Sequence, residues 1–133
     1  FRGDKGNYKE DDEVYPVNKY AWSKLGGECA VRLYDNSLII RTTFGPDKFP
    51  YPKAFVDQWT SREPVSVIAK KIKLLTESIT TGTIHIGAPR RSVYEYAQSL
   101  GATDVRGFSV NDIEFRVPTD TSLDTTNYNG LTL

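Results

Sequence analysis

The chain has 133 residues, which is the length of one domain with a core of its own. Its 17 basic side chains equal its 17 acidic ones in number, so no overall charge favours binding to nucleic acid or to an anionic membrane surface. The single cysteine excludes an intramolecular disulfide, so we expect a reducing, cytoplasmic location. One cysteine and one histidine cannot build an ordinary zinc site, so we expect no bound metal. No apolar run reaches the roughly 20 residues that a membrane-spanning helix requires.

The first predicted element is a helix that follows a loop. Residues 2–16 are rich in glycine and acidic side chains, which is typical of a loop, and we expect Glu10 and Asp12 to be hydrogen-bond acceptors that order it. Asn18 is a favourable N-cap, and apolar residues then recur at helical spacing. This pattern predicts a helix over about residues 19–34.

Two features inside this helix predict close packing. Gly26 and Gly27 each weaken an exposed helix by roughly 1 kcal/mol relative to alanine, so we expect the pair to mark the close approach of another backbone. We expect Cys29 to be a small core residue.

Strands and helices alternate in the middle of the chain. The run "NSLIIRTTFGP" predicts a strand buried on both faces, because it is apolar and bounded by turn residues. The next segments predict a helix ("PKAFVDQWTS"), a short strand ("EPVSV") and an amphipathic helix ("IAKKIKLLTESI"). Ile68, Ile72 and Leu75 of that amphipathic helix are expected to face inward.

The last clear elements are a strand and a helix. "GTIHIG" predicts a strand in which His85 either packs or faces solvent. Ser92 and Glu95 form a capping-box signature that begins a helix ending at Gly101. The polar remainder predicts no clear element. Alternation of this kind predicts an α/β fold with a mostly parallel sheet.

The sequence contains two Y-x-x-x-K matches that differ in their position. The first, from Tyr15 to Lys19, contains Pro16 and straddles the helix start, so its side chains need not face each other. The second places Tyr20 and Lys24 one turn apart on one helix face. An ammonium beside a phenol stabilises the phenolate and makes it a workable general acid and base, and a lysine can also hold ribose hydroxyls. The alternative is an ordinary surface pair.

The segment "GDKGNYKEDDEVYPVNKYAWSKLGGE" resembles the active-site segment of the extended short-chain dehydrogenase/reductases, in particular the dTDP-4-dehydrorhamnose reductase-like sugar-nucleotide reductases. Members have a loop of the form F-x-G-x-x-G-x-Y-x-E-x-D, a proline, Y-x-x-x-K and a glutamate four residues later. The residues that fit this pattern in order are Phe1, Gly3, Gly6, Tyr8, Glu10, Asp12, Pro16, Tyr20, Lys24 and Glu28. The segments "LIIRTTFGP", "GTIHIG", "SVYEYA" and "VPTDTSLDTT" are similar to later parts of the family pattern.

This resemblance implies the C-terminal portion of a Rossmann-like NAD(P)-binding fold with a small α/β substrate-binding region. Residues 1–48 correspond to the end of the Rossmann-like catalytic part, and residues 49–133 to the substrate-binding region. The family's dinucleotide-binding half would precede Phe1, together with its glycine fingerprint and the serine or threonine that partners the catalytic tyrosine. We therefore expect these 133 residues alone to be inactive and to bind the cofactor poorly.

The implied activity is reduction of a 4-keto sugar nucleotide with NADP or NAD as cofactor. In this interpretation Tyr20 is the general acid, and Lys24 tunes it and holds the nicotinamide ribose. A sugar-nucleotide epimerase or dehydratase, or a non-catalytic binding subunit of the same fold, are the alternatives. The resemblance also implies a homodimer that pairs through the Tyr20/Lys24 helix, where Trp22, Cys29 and Leu33 offer apolar area.

Three further site residues follow from their positions. Thr43 and Phe44 stand at the carboxyl end of the first predicted strand, where ligands gather in open α/β sheets, so we expect Thr43 to contact the cofactor and Phe44 the substrate. Arg90 and Arg91 precede a predicted helix N-terminus and can grip a diphosphate, so we assign Arg90 to the substrate. The alternatives are a strand-end loop that packs on itself and ordinary exposed arginines.

Overall fold

The computed structural model describes residues 1–133 and has a mixed α/β architecture. The helices in chain order are α1 (Lys19–Val31), α2 (Val65–Thr76), α3 (Val93–Ser99) and α4 (Thr126–Asn129), with a 3₁₀ turn at Val110–Asp112. The strands are β1 (Leu38–Thr42), β2 (Phe44–Gly45), β3 (Lys53–Phe55), β4 (Trp59–Thr60), β5 (Glu63–Pro64), β6 (Gly82–Ile86), β7 (Arg91–Ser92) and β8 (Arg106–Phe108).

The strands form pairs, most of them parallel. Strand β1 runs parallel to β6, with Leu38 opposite Gly82 and Thr42 opposite Ile86. The pairs β2–β5 and β3–β8 are also parallel, whereas β4–β7 is antiparallel. The α/β class and the predominance of parallel pairing are confirmed, although the strands make four two-stranded units rather than one continuous sheet.

The main core lies between α2 and β6. Ile68 and Leu75 of α2 are buried against Ile84 and Ile86 of β6, and Ile72 packs on the edge of this cluster. The inward face expected for the amphipathic helix is therefore confirmed, with the helix beginning at Val65 directly after the short strand β5. A second, smaller cluster joins β3 to α3 through Ala54, Val93 and Ala97.

The helix expected over "PKAFVDQWTS" is wrong. Its residues instead form β3 and β4, because Lys53, Ala54 and Phe55 find strand partners in β8, far along the chain. The Val56 amide extends this pairing by donating to the Phe108 carbonyl at 3.0 Å. Tertiary pairing of this kind overrides local helix propensity.

Three burial expectations are also wrong. Strand β1 is not buried on both faces, since Ile39 is its only buried residue and the others are half-covered. Cys29 is exposed rather than in the core. Gly26 and Gly27 mark no close packing, because a Cβ atom added at either would meet nothing within 4 Å.

The polar end of the chain is more ordered than its sequence indicated, and it holds the N-terminal loop in place. Tyr8 bridges to Leu123, with its amide donating to the Ser122 carbonyl at 3.0 Å and its carbonyl accepting from the Asp124 amide at 2.8 Å. Gly6 has φ +70 and lies so close to the Asp120 carboxylate that a Cβ atom would collide with it. No helix is both long enough and apolar enough to cross a membrane.

Candidate functional site

Helix α1 presents the tyrosine–lysine pair to the surface. Asn18 begins the helix as expected, its side chain accepting from the Ala21 amide at 2.8 Å. The Lys24 ammonium lies 5.6 Å from the centroid of the Tyr20 ring, so the two side chains share one helix face. Tyr20 is 70% exposed. Neither the phenol hydroxyl nor the ammonium makes a hydrogen bond or ion pair within the chain, which leaves both available to a ligand.

A shallow groove of about 240 Å³ runs beside this face. One wall is α1, which contributes Tyr20, Lys24 and Leu25, and the other is the end of the N-terminal loop. The remaining lining residues are Phe1, Val14, Tyr15, Pro16, Ala21, Glu28 and Arg41. The groove therefore combines apolar and aromatic walls with polar groups that have no internal partner, among them the Tyr20 hydroxyl and the Lys24 ammonium.

A bidentate ion pair between Glu28 and Arg41 also lines the groove. Arg41, in β1, donates from Nε to Glu28 Oε1 and from Nη2 to Glu28 Oε2, both at 2.8 Å. This hydrogen bonding with Arg41 holds the pKa of the Glu28 carboxyl below its usual value against the opposing effect of burial, and Arg32 adds a smaller contribution. Bidentate pairs are the strongest and most directional ion pairs in proteins.

Behind the ion pair lies the chain's one histidine. His85 is fully buried, with Nε2 3.3 Å from Arg41 Nη1 and Nδ1 2.9 Å from the Tyr8 carbonyl oxygen. Desolvation lowers its pKa, and Arg41 adds to that effect, while Glu10 and the backbone near Tyr8 and Asp124 oppose it. Of the two interpretations left open by the sequence, the packed histidine is confirmed.

The N-terminal loop is ordered by its acidic side chains, as expected. Glu10 accepts from the His85 amide at 3.0 Å and from Asn127 Nδ2 at 2.9 Å. Asp12 accepts from the Lys9 amide at 2.8 Å and from Lys5 Nζ at 2.9 Å. The Glu10 contacts hold the loop against β6 and the end of the chain, and the Asp12 contacts order the loop internally.

The structure does not bring the other candidate residues into this groove. Thr43 lies between β1 and β2, where its carbonyl accepts from the Glu63 amide at 3.3 Å, and the adjacent Phe44 is exposed. Neither side chain lines the groove beside α1.

The two arginines before α3 are both engaged. Arg90 donates from Nε to Asp120 Oδ2 at 2.8 Å, and its guanidinium lies 4.0 Å above the Trp59 ring. Arg91 donates to the Arg62 carbonyl at 2.9 Å. The contact with Asp120 uses Nε of Arg90. Neither terminal nitrogen of Arg90 makes a hydrogen bond to another side chain.

Sequence reasoning did not assign a site role to Arg41, Glu28 or His85. Glu28 is part of the family pattern, but its partner was not evident, because Arg41 belongs to another element and meets it only in the folded chain. A lone arginine inside an apolar strand was the one available signal. No group of three or more histidine, cysteine or acidic side chains lies together so as to hold a metal ion.

Comparison with known proteins shows which family the chain resembles. A family model described as the RmlD substrate binding domain matches residues 1–86. The crystal structure of a hypothetical dTDP-4-dehydrorhamnose reductase from Sulfolobus tokodaii is 31% identical with a TM-score of 0.79, over 99% of this chain and 55% of that one. No curated protein sequence matches the chain.

Two more distant structures share the fold. The dTDP-4-dehydrorhamnose reductase from Bacillus anthracis, in complex with NADP, has a TM-score of 0.77 at 22% identity over 99% of this chain and 56% of that one. The UDP-glucuronic acid 4-epimerase from Bacillus cereus, in complex with NAD, has a TM-score of 0.68 at 19% identity over 98% and 51%. This chain therefore spans about half the length of the structures that it matches. From the family match over residues 1–86, the chain belongs to the RmlD substrate-binding domain family.

Proposed function

We propose that this chain is the catalytic-helix and substrate-binding part of a sugar-nucleotide reductase. The substrate is a nucleotide-activated 4-keto sugar of the dTDP-4-dehydrorhamnose type, and NADP or NAD is the cofactor. Family membership and the similarity to dTDP-4-dehydrorhamnose reductases support this class of activity.

The observation that carries the proposal is the arrangement of Tyr20 and Lys24. Both line the same groove one helical turn apart, and neither polar group makes a hydrogen bond or ion pair with another part of the chain. A structural surface pair has no need of an adjoining apolar groove, whereas a proton donor beside a bound sugar does.

The proposed chemistry is a carbonyl reduction. Lys24 would hold the ribose of a nicotinamide cofactor, and that cofactor, when bound in its reduced form, would supply the hydride for the keto carbon. Tyr20 holds its hydroxyl proton towards the carbonyl oxygen and gives it up as that oxygen gains charge. Lys24 stabilises the resulting phenolate, which takes a proton back from solvent, and holds the ribose hydroxyls of the cofactor.

The chain's own residues fit only part of a dinucleotide. Lys24 suits a ribose, and Thr43 is the proposed contact for the nicotinamide end, but no glycine-rich phosphate turn occurs among these residues. We propose that the pyrophosphate is held outside them, and that residues 1–133 alone are inactive. Residues 1–48 then complete the Rossmann-like catalytic part and residues 49–133 form the substrate region.

Two residues are proposed for the substrate itself. Phe44 is exposed and offers a ring to the sugar or base. Arg90 is held in place by Asp120 and Trp59, yet its terminal nitrogens remain available to a diphosphate. A guanidinium fixed through Nε in this way loses little conformational entropy when it binds a phosphate.

The test is turnover by the full-length gene product. We expect saturable oxidation of NADPH or NADH with dTDP-4-dehydrorhamnose, and none with dTDP-glucose, which carries a hydroxyl in place of the keto group. Change of sugar configuration without net oxidation would favour the epimerase alternative. Saturable nucleotide binding without turnover would favour a non-catalytic subunit, and either result would contradict the reductase proposal.

We also propose that the gene product is a homodimer that pairs through α1. Trp22 and Leu33 are 62% and 84% exposed, so the helix and its C-terminal extension offer apolar area away from the groove. Sedimentation should show a dimer at micromolar concentration, and a strict monomer would contradict this.

A further inference from the structure

Helix α1 poses a problem of positioning. It carries the proposed proton donor, yet none of its residues is buried, so no apolar face fixes it against the core. Its firmest side-chain attachment to the rest of the chain is the pair between Glu28 and Arg41. Arg32, just past the helix, adds a hydrogen bond to Thr83 at 3.1 Å.

The Glu28–Arg41 pair is well placed to set the position of the groove-facing side chains. Glu28 lies one turn after Lys24, and Lys24 lies one turn after Tyr20, so all three project from neighbouring turns of one helix. The two side chains of the pair are only 19% and 13% exposed. A pair so shielded from water is screened less than a surface pair and holds its geometry better.

Arg41 is itself held from behind, and this contact defines the state of His85. A guanidinium only donates hydrogen bonds, so His85 Nε2 must be the acceptor for Arg41 Nη1. A carbonyl only accepts, so Nδ1 carries the proton and donates to the Tyr8 oxygen. The contacts therefore select the neutral Nδ1–H tautomer. Arg41 Nη1 also donates to the Glu10 carbonyl at 3.2 Å.

We propose that His85, Arg41 and Glu28 form a positioning relay that sets the placement of Lys24 and Tyr20 for proton transfer. The proposal rests on the proposed function for its kinetic consequence, but its structural claim stands on the contacts alone. Protonated His85 would place a second cation against Arg41, so the relay requires neutral His85. Besides Arg41, the charged groups that face this histidine are the carboxylates of Glu10 and Asp124.

The kinetic test compares two carboxylate-to-amide variants of the full-length gene product. Glu28→Gln keeps the side-chain size but removes the charge that holds Arg41. Glu77→Gln is the matched control, because Glu77 makes only an exposed pair with Lys73 at 3.7 Å. We expect Glu28→Gln to lower kcat by about 10-fold to 100-fold with a much smaller change in KM, as displacement of catalytic groups does. The control should stay within about twofold of wild type.

A second measurement needs no turnover. Amide hydrogen exchange of α1 should accelerate at least tenfold in Arg41→Met, while exchange in α2 is unchanged, because only α1 depends on this pair. In ¹⁵N NMR the His85 signal, assigned by its loss in His85→Gln, should show the Nδ1–H tautomer in wild type and lose that preference in Arg41→Met.

The outcomes separate this inference from the proposed function. An inactive wild-type protein would contradict the function, and the exchange and NMR results would then decide the relay. Wild-type kinetics in Glu28→Gln, or an equal loss in Glu77→Gln, would overturn the relay while leaving the reductase intact. An Nε2–H tautomer or an imidazolium at neutral pH, or unchanged α1 exchange in Arg41→Met, would also overturn it.

Discussion

Helices α1 and α2 are nearly equal in length, with 13 and 12 residues, but they are held in opposite ways. Helix α2 buries Ile68 and Leu75 against β6, so the hydrophobic effect fixes it in the core. Helix α1 buries no residue and is held by charged hydrogen bonds that Glu28 accepts from Arg41. One helix stabilises the fold, and the other displays side chains.

The difference shows how the chain separates stability from proposed chemistry. A helix that packs through an apolar stripe has one face committed to the core. Helix α1 keeps both its groove face and the face bearing Trp22 open, at the cost of depending on a few polar contacts. Substitutions in α2 should therefore change stability, and those on the groove face of α1 should change turnover.

A large effect on turnover is expected at Lys24. Lys24→Met keeps the aliphatic length but removes the ammonium that stabilises the phenolate, so kcat in the full-length gene product should fall on the order of 10²–10³-fold. Lys19→Met changes an exposed lysine at the start of the same helix; it is the control and should retain activity. Equal losses in both variants would mean that the effect is general to the helix and not specific to the groove.

The next effect concerns the core. Leu75 is fully buried in the cluster beneath α2, so Leu75→Ala should lower the free energy of unfolding by about 2–5 kcal/mol in denaturant titration. Ile79→Ala, at a fully exposed site just after α2, should change it by less than about 0.5 kcal/mol. Similar losses at both sites would contradict the assignment of this stability to the buried face of α2.

Acid should weaken the fold through His85. Because desolvation lowers its folded-state pKa, the unfolded chain binds a proton first as the pH falls below about 6.5. The contribution of neutral His85 to the free energy of unfolding is therefore fully present above that pH. On acidification it falls by up to about 1.4 kcal/mol per pH unit until the pKa of His85 in the folded chain is reached. His85→Gln should lack this slope between neutrality and pH about 5. A slope that survives the substitution would assign it to other groups.

The smallest effect is a gain. Gly26 lies inside α1 with open space where its Cβ would be, so Gly26→Ala should raise the free energy of unfolding by about 0.5–1 kcal/mol. Unfolding and sedimentation measured together sharpen the test. A loss of stability accompanied by dissociation of a dimer would show that the glycine surface is a close-packed interface between copies.

Local signals made much of the fold predictable. Asn18 at the start of α1, the Ser92–Glu95 capping box and the apolar spacing of α2 each act within one or two turns, so the sequence shows them directly. The pairing of β3 with β8 joins residues far apart along the chain, and no local pattern reports it. The helix expected over β3 and β4 was wrong for that reason.

The candidate site divides in the same way. The spacing of Tyr20 and Lys24 sufficed to place them together on one face, because a helix fixes that geometry. The contact of Arg41 with Glu28 and His85 unites a strand, a helix and another strand, and it arises only after folding. Sequence periodicity also could not reveal that α1 lacks a packing partner, so Cys29 was wrongly expected in the core.

The most direct test of the account is the Tyr20→Phe variant of the full-length gene product, with Tyr34→Phe as its control. Tyr20→Phe removes only a hydroxyl from an exposed ring, so kcat for keto-sugar reduction should fall on the order of 10²–10⁴-fold while the free energy of unfolding stays within about 0.5 kcal/mol of wild type. Tyr34 is also exposed and lies outside the groove, and its variant should change neither quantity. Turnover in Tyr20→Phe within a few-fold of wild type would contradict the assignment of Tyr20 as the proton donor.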